Sequence, residues 1–346
     1  MNVQRVRPDN FTPPSRTPWG GRVIMSRFKA GLHLDVDPRT PVGESWEISA
    51  EPSFPSVLES GLVLADAIRG DLPGWLGERV AAEHDGLPML VKLIDAADNL
   101  SVQVHPPEDH ALLNNEETGK TEAWIIMGAA PGAQIYLGFR DGVREQDVDA
   151  CMKSGGALSE LMNGVVVHEG EVFFIHPGLV HALGAGITVL EPQRVRPHRR
   201  SITYRFWDWN RKYDANGNVS ASGAPRALHV RESMAVTDWI GPRGSALVEA
   251  SRRRPTPLHP VTAGLDRAQL LDDKDLWAQR AVGTGSFQLP KVDTLLGLLC
   301  LDGEIDLTDG EESLRLQKGQ SAVVPAAIGD VRVELRGAHL AMCCVP

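Results

Sequence analysis

The chain has 346 residues, 42% of them hydrophobic, and its 45 acidic and 35 basic side chains leave a formal charge of −10. That apolar share builds a full core and excludes global disorder, and the acidic balance argues against a nucleic-acid coat, which needs a clustered excess of Lys and Arg. No apolar run approaches the roughly 18 residues that span a bilayer, and the polar, Pro-rich stretch from Met1 to Arg16 has no signal-peptide core, so a cytoplasmic protein without nucleic-acid or membrane partners is expected.

Pro73 to His84 carries Leu76 and Val80 at helical spacing and runs into Gly86-Leu87-Pro88, a helix followed by a stop. Leu100 to His105 alternates, with Ser101, Gln103 and His105 on one face. Glu122 to Met127 and Gln134 to Phe139 read as neighbouring strands bounded by Gly or Pro. Val143 to Met162 is interrupted by Gly155-Gly156 and reads as two short helices. Val165 to Val167, Val172 to His176 and Ile187 to Glu191 continue the strands. Asp214 to Pro225, rich in Gly, Asn, Ser and Ala, reads as a loop. Ser251 to Pro260, with three arginines and three prolines, is the candidate linker. Beyond it come Leu295 to Leu301, Glu304 to Leu307, Ser321 to Val324, Val331 to Leu335 and Leu340 to Val345. Short, evenly punctuated strands of this number suggest an all-β sandwich or jelly-roll barrel with helical coverings. A length prior of about 150 residues per domain allows two units, placed at 1–250 and 251–346.

The two β regions share an echo. Gly170 to Pro177 and Gly319 to Pro325 each give a glycine turn, an apolar strand and a proline. Four residues later the first has His181 and the second Gly329, so the second unit is expected to lack metal ligands. The four cysteines, Cys151, Cys300, Cys343 and Cys344, form no CxxC pair and read as buried small hydrophobes.

Gln103 and His105 lie two apart on a strand and share a face. Glu122 on the next strand adds a carboxylate, with Lys120 in phase, and His181 follows the Pro177-Gly178 turn. One amide oxygen, one carboxylate and two imidazoles suit Zn²⁺, Ni²⁺, Mn²⁺ or Fe²⁺, with a vertex left open.

Gly43-Glu44-Ser45-Trp46-Glu47-Ile48-Ser49, Leu100 to Pro106, Gly119-Lys120-Thr121-Glu122-Ala123-Trp124 and Val172 to Ala182 together resemble the type I mannose-6-phosphate isomerase family in its shorter bacterial form. The resemblance spans roughly residues 15 to 210 and extends into the C-terminal region. It implies two cupin-type jelly-roll barrels, one Zn²⁺ per chain on Gln103, His105, Glu122 and His181, and interconversion of mannose 6-phosphate and fructose 6-phosphate through an enediol(ate). By the same resemblance Lys120 and Arg205 line the substrate pocket. Lys120 beside a zinc ion would have its pKa pushed down by the like charge and act in ring opening or proton transfer.

One departure stands out. The family pattern places an aspartate four residues before the arginine of Tyr-Arg, where this chain has Ser201 ahead of Tyr204-Arg205. Serine is no carboxylate base at neutral pH, so Glu191, Asp208 or a metal-bound hydroxide must take that part. The longer segment before Ser201 carries Arg194, Arg196, Arg199 and Arg200, a cationic loop suited to phosphate; Arg199 and Arg200 are its substrate-binding candidates. The rival readings are a sugar-phosphate-binding cupin without turnover and a metal-dependent cupin oxygenase. The oligomeric state, monomer or dimer, stays open.

Overall fold

The computed structural model describes residues 1–214, 217, 219–310 and 312–346. The loop expected over Asp214 to Pro225 thus lies partly outside the described residues. The chain is mostly β, with few helices, and its strands form three large sheets and one two-stranded ribbon. No helix among the described residues is long and apolar enough to cross a membrane.

Two sheets face each other around the N-terminal core. The six-stranded sheet has Met89–Ala96 and Ile187–Arg194 at its centre, hydrogen-bonded antiparallel over eight residue pairs. Met89–Ala96 is buried along its whole length, which explains an apolar run broken only by Lys92 and Asp95 rather than an alternating one. The five-stranded sheet runs Tyr204–Trp207, Val102–Val104, His181–Leu183, Gln134–Phe139 and Met162–Val166 in spatial order. Pro192 sits inside the strand Ile187–Arg194 and has no N–H to give. The ladder to Thr121–Ala129 accordingly jumps from Leu190↔Ile125 to Gln193↔Glu122.

The helices cover this core. Leu72–Glu83 is capped by the Asp71 carboxylate on the Gly74 N–H, and its interior breaks at Gly77, where φ is 77°. A Cβ there would lie 2.5 Å from the Asp293 carbonyl oxygen, so glycine is what lets the kinked helix touch the C-terminal unit. Glu145–Ser154 ends on left-handed Gly155 and is followed by the 3₁₀ turn Leu158–Leu161, the two short helices expected.

The third sheet holds the C-terminal strands, and Gln4–Val6 joins it by pairing with Ser321–Val323. The stretch read as a linker is structured as well: Arg252 and Arg253 pair with Phe173 and Val172 at the edge of the six-stranded sheet. Both echoing hairpins are present, since Val172–Ile175 and Ser321–Val324 are fully buried strands that follow positive-φ glycines, Gly170 and Gly319.

Candidate metal centre and cavity

Two rows of side chains meet between the facing sheets. In the five-stranded sheet Gln103 pairs directly with His181 on one side and Arg205 on the other. In the six-stranded sheet Glu122 pairs with Gln193. His105 follows directly after the strand Val102–Val104. His105, Glu122 and His181 each offer a ligand atom within 4.8 Å of the others. Gln103 joins them through its amide, 3.4 Å from His181 Nε2.

Hydrogen bonds outside the cluster fix how the imidazoles point. His181 Nδ1 lies 2.7 Å from the Leu179 carbonyl oxygen and His105 Nδ1 lies 3.2 Å from that of Ile202. A carbonyl only accepts, so each Nδ1 carries the proton and each Nε2 turns a lone pair inward. His105 Nε2 then lies 3.2 Å from Glu122 Oε1, and His181 Nε2 lies 3.8 Å from Glu122 Oε2. Burial pushes the pKa of His181 down to about 3, helped by neighbouring His105, and burial lowers that of His105 too, so both rings are neutral. Burial would raise the Glu122 pKa, yet the Lys120 ammonium beside it holds it well below the usual carboxylate range. Inward lone pairs around one carboxylate repel each other unless a cation sits among them. His105 Nε2 and Glu122 Oε2 are buried with no hydrogen-bond partner. This donor set fits a divalent metal ion.

Gln103 and Glu122 carry the cluster to the wall of a cavity of about 520 Å³ that Lys120, Glu191 and Arg205 also line. Lys120 Nζ contacts Glu122 and lies 3.4 Å from Gln193 Oε1. Burial lowers the Lys120 pKa, but Glu122 and Glu191 outweigh it and the net direction is upward. The depressed value expected beside a metal is therefore opposed by two carboxylates. Glu191 accepts from Trp124 Nε1 at 2.9 Å and from Gln193 Nε2. Burial, reinforced by the Glu122 charge, lifts its pKa to about 8.

The remaining candidates separate. Arg205 Nη1 donates to the Ala227 carbonyl at 3.0 Å, and its Nε is buried without a partner. Arg200 lines the cavity and pairs with Glu117. Arg199 lies off the cavity in a neighbouring crevice beside His198. Arg194 and Arg196 pair with Glu108 and Asp109, so the arginine segment is stitched to an acidic loop rather than gathered around one anion. Asp208 does not line the cavity; it is held by Arg211 and Arg226 at 2.7 Å each. It therefore has no path to act as the base.

Sequence reasoning missed several wall residues. Lys92 lies 4.0 Å over the Trp46 ring and 3.7 Å from Glu44 Oε2. A single lysine in the apolar run Met89–Ala96 was the available signal, because an unpaired ammonium is not buried without cause. Arg226 and Glu51 also line the cavity, and nothing in their local sequence marks them.

The description "Phosphomannose isomerase type I, catalytic domain" matches residues 15–123, and "Mannose-6-phosphate isomerase, cupin domain" matches residues 284–342. The mannose-6-phosphate isomerase of Streptococcus mutans is 30% identical over 313 residues, 90% of this chain and 89% of its own. The chain belongs to the type I phosphomannose isomerase family. ManA of Bacillus subtilis is 30% identical over 91% of this chain and 92% of its own length. The fold agrees: the crystal structure of the mannose 6-phosphate isomerase from Bacillus subtilis superposes with a TM-score of 0.80 over 99% of each chain, at 23% identity. As a type I phosphomannose isomerase the chain is an enzyme with a cupin domain, and the His105, Glu122 and His181 group is its potential metal site.

Proposed function

We propose that this protein interconverts mannose 6-phosphate and fructose 6-phosphate through an enediol(ate), with Zn²⁺ held by Gln103, His105, Glu122 and His181. The observation that carries the reading is the buried, cation-demanding cluster opening onto a polar cavity inside a chain of this family. A cavity of about 520 Å³ lies in the range of small-molecule sites.

Moving the carbonyl from C1 to C2 removes a carbon-bound proton and passes negative charge to oxygen. When bound, the metal ion supplies a Lewis acid for the carbonyl. Arg205, on the cavity wall next to Gln103 in the ladder, offers a fixed cation for the developing charge. Glu191 is the base: it lines the cavity from the facing six-stranded sheet, its orientation is fixed by Trp124 and Gln193, and its pKa near 8 suits proton exchange at neutral pH. Lys120 holds Glu122 in place and presents its ammonium to the sugar oxygens. Arg200 is the phosphate-facing cation, and Arg199 leaves that role because it lies outside the cavity.

Protein purified, stripped with a chelator and reloaded with Zn²⁺ is expected to convert mannose 6-phosphate to fructose 6-phosphate. The stripped protein is expected to be inactive. Binding of the sugar phosphate without turnover, across Zn²⁺, Mn²⁺, Fe²⁺ and Ni²⁺, would overturn the reading.

A further inference from the structure

Five carboxylates line the cavity: Glu44, Glu51, Glu117, Glu122 and Glu191. Four of them each have a cation beside them or a hydrogen-bond donor on both oxygens. Glu44 takes the Trp46 indole N–H at 2.9 Å and faces Lys92. Glu117 pairs with Arg200, Glu122 with Lys120 and the histidines, and Glu191 spends one oxygen on Trp124 and the other on Gln193. Glu51 differs. Its Oε1 accepts only from Ser201, through the hydroxyl at 2.8 Å and the peptide N–H at 3.3 Å. Among the described residues no hydrogen bond or ion pair reaches its Oε2, and no cation pairs with it.

The backbone around Glu51 is fixed beforehand. Its N–H donates to Ser49 Oγ at 3.1 Å, and its carbonyl accepts from the Phe54 N–H at 3.1 Å. The segment it grips is also the one that orients His105, since Ile202 supplies the carbonyl for His105 Nδ1 and Thr203 Oγ1 lies 3.3 Å from the same nitrogen. The Ser201 hydroxyl is neutral and puts no charge into the cavity. By donating to Glu51 it holds one there instead.

We propose that Glu51, presented by Ser201, is a substrate-binding carboxylate that accepts hydrogen bonds from hydroxyls of the sugar and so restores to this wall the charge that Ser201 lacks. A carboxylate repels phosphate, so the group it faces is the neutral polyol end of the substrate. An ionised acceptor with a free oxygen makes stronger hydrogen bonds to hydroxyls than a neutral one. The inference rests on the sugar-phosphate reading above and assigns a further contact within that site.

Binding of mannitol 6-phosphate, which cannot isomerise, is measured by calorimetry beside kcat and KM for mannose 6-phosphate. Glu51→Gln is expected to raise Kd and KM about tenfold, the loss of one charge-assisted hydrogen bond, with kcat within about threefold and metal content unchanged. Ser201→Ala keeps the charge and is expected to raise Kd only about threefold. Adding Ser201→Asp to Glu51→Gln returns a carboxylate to the wall and is expected to bring Kd back to within about threefold of the parent. An unchanged Kd in Glu51→Gln, a Ser201→Ala loss as large as that of Glu51→Gln, or no recovery in the double variant overturns the proposal. A parent protein that neither binds mannitol 6-phosphate nor turns over mannose 6-phosphate instead refutes the functional reading, and this inference with it.

Discussion

Glu122 is the only negative group among the four proposed ligand side chains, and it touches Lys120, His105 and His181 at once. Replacing it by glutamine removes the charge that a divalent ion needs and leaves Lys120 without its closest buried partner. Glu122→Gln is expected to lose more metal affinity than the about 10–100-fold that loss of an outer-shell partner costs, and activity should fall with it. Metal analysis of desalted protein checks this, and unchanged occupancy removes Glu122 from the ligand set. Gln103, His105 and Glu122 were legible because strand periodicity puts Gln103 with His105, and Lys120 with Glu122, on shared faces, and His181 because it follows the Pro177-Gly178 turn. What sequence leaves blank is the pairing between strands: that His181 and Arg205 flank Gln103 depends on a register set by residues 78 and 102 positions away. Arg199 misled for the complementary reason, since composition counts arginines and says nothing of the acidic loop that takes up Arg194 and Arg196.

At the level of elements, the loop from Pro106 to Gly119 joins His105 to Lys120 and Glu122, and its two ends are pressed together. A Cβ on Gly119 would lie 1.9 Å from the Pro106 carbonyl oxygen. Gly119→Ala is therefore expected to force the loop ends apart and misplace both ligand strands. Metal affinity should fall at least about tenfold, with about 1–3 kcal/mol of stability lost to backbone strain, read by metal titration and urea unfolding together. Wild-type metal affinity in this variant would show that the loop closes independently of the site. The C-terminal strands show where element reading from sequence stops short. Leu295 to Leu301 and Glu304 to Leu307 read as two strands, but the structure has one, Leu296–Asp309, with register shifts around Asp302. Gly303, at φ 69°, sits 2.4 Å from the Gly337 carbonyl oxygen when given a Cβ. Asp-Gly marks a turn and a β-bulge with the same residues, and the partner strand decides between them.

Across the whole molecule the six-stranded sheet and the sheet of C-terminal strands are joined through buried contacts that no local pattern announces. One apolar cluster runs from Ile48, Met89 and Val91 to Leu299, Val323 and Ala341. His339 lies near Arg280, Asp302 and Arg27, and burial together with Arg280 lowers its pKa from 6.5 to about 4. The unfolded chain thus binds a proton there between pH 6.5 and 4 that the folded chain refuses, so stability falls as pH drops through that window. Wild-type protein is expected to lose up to about 3 kcal/mol more than His339→Asn over that range, measured by urea unfolding at each pH; parallel curves would remove His339 as the cause. The joint itself is a buried ion pair. Lys29 Nζ lies 2.7 Å from Glu47 Oε1 and donates to the Gly319 carbonyl at 2.7 Å. Ser45 and Ser321 donate to the two Glu47 oxygens at 2.6 Å each. Glu47 belongs to the strand Glu44–Ile48, whose Glu44 and Trp46 line the cavity, while Ser321 opens a strand of the C-terminal sheet and Gly319 lies in the turn before it. Lys29→Met leaves Glu47 charged and buried without its cation, and is expected to cost about 3–5 kcal/mol. Lys29→Met with Glu47→Leu removes both charges and is expected to recover most of that, less the cost of leaving two serine hydroxyls unpaired. A double-mutant cycle on urea midpoints measures the coupling. If the double variant is as destabilised as the sum of the singles, the pair acts as two independent groups and the joint is held by the apolar cluster alone.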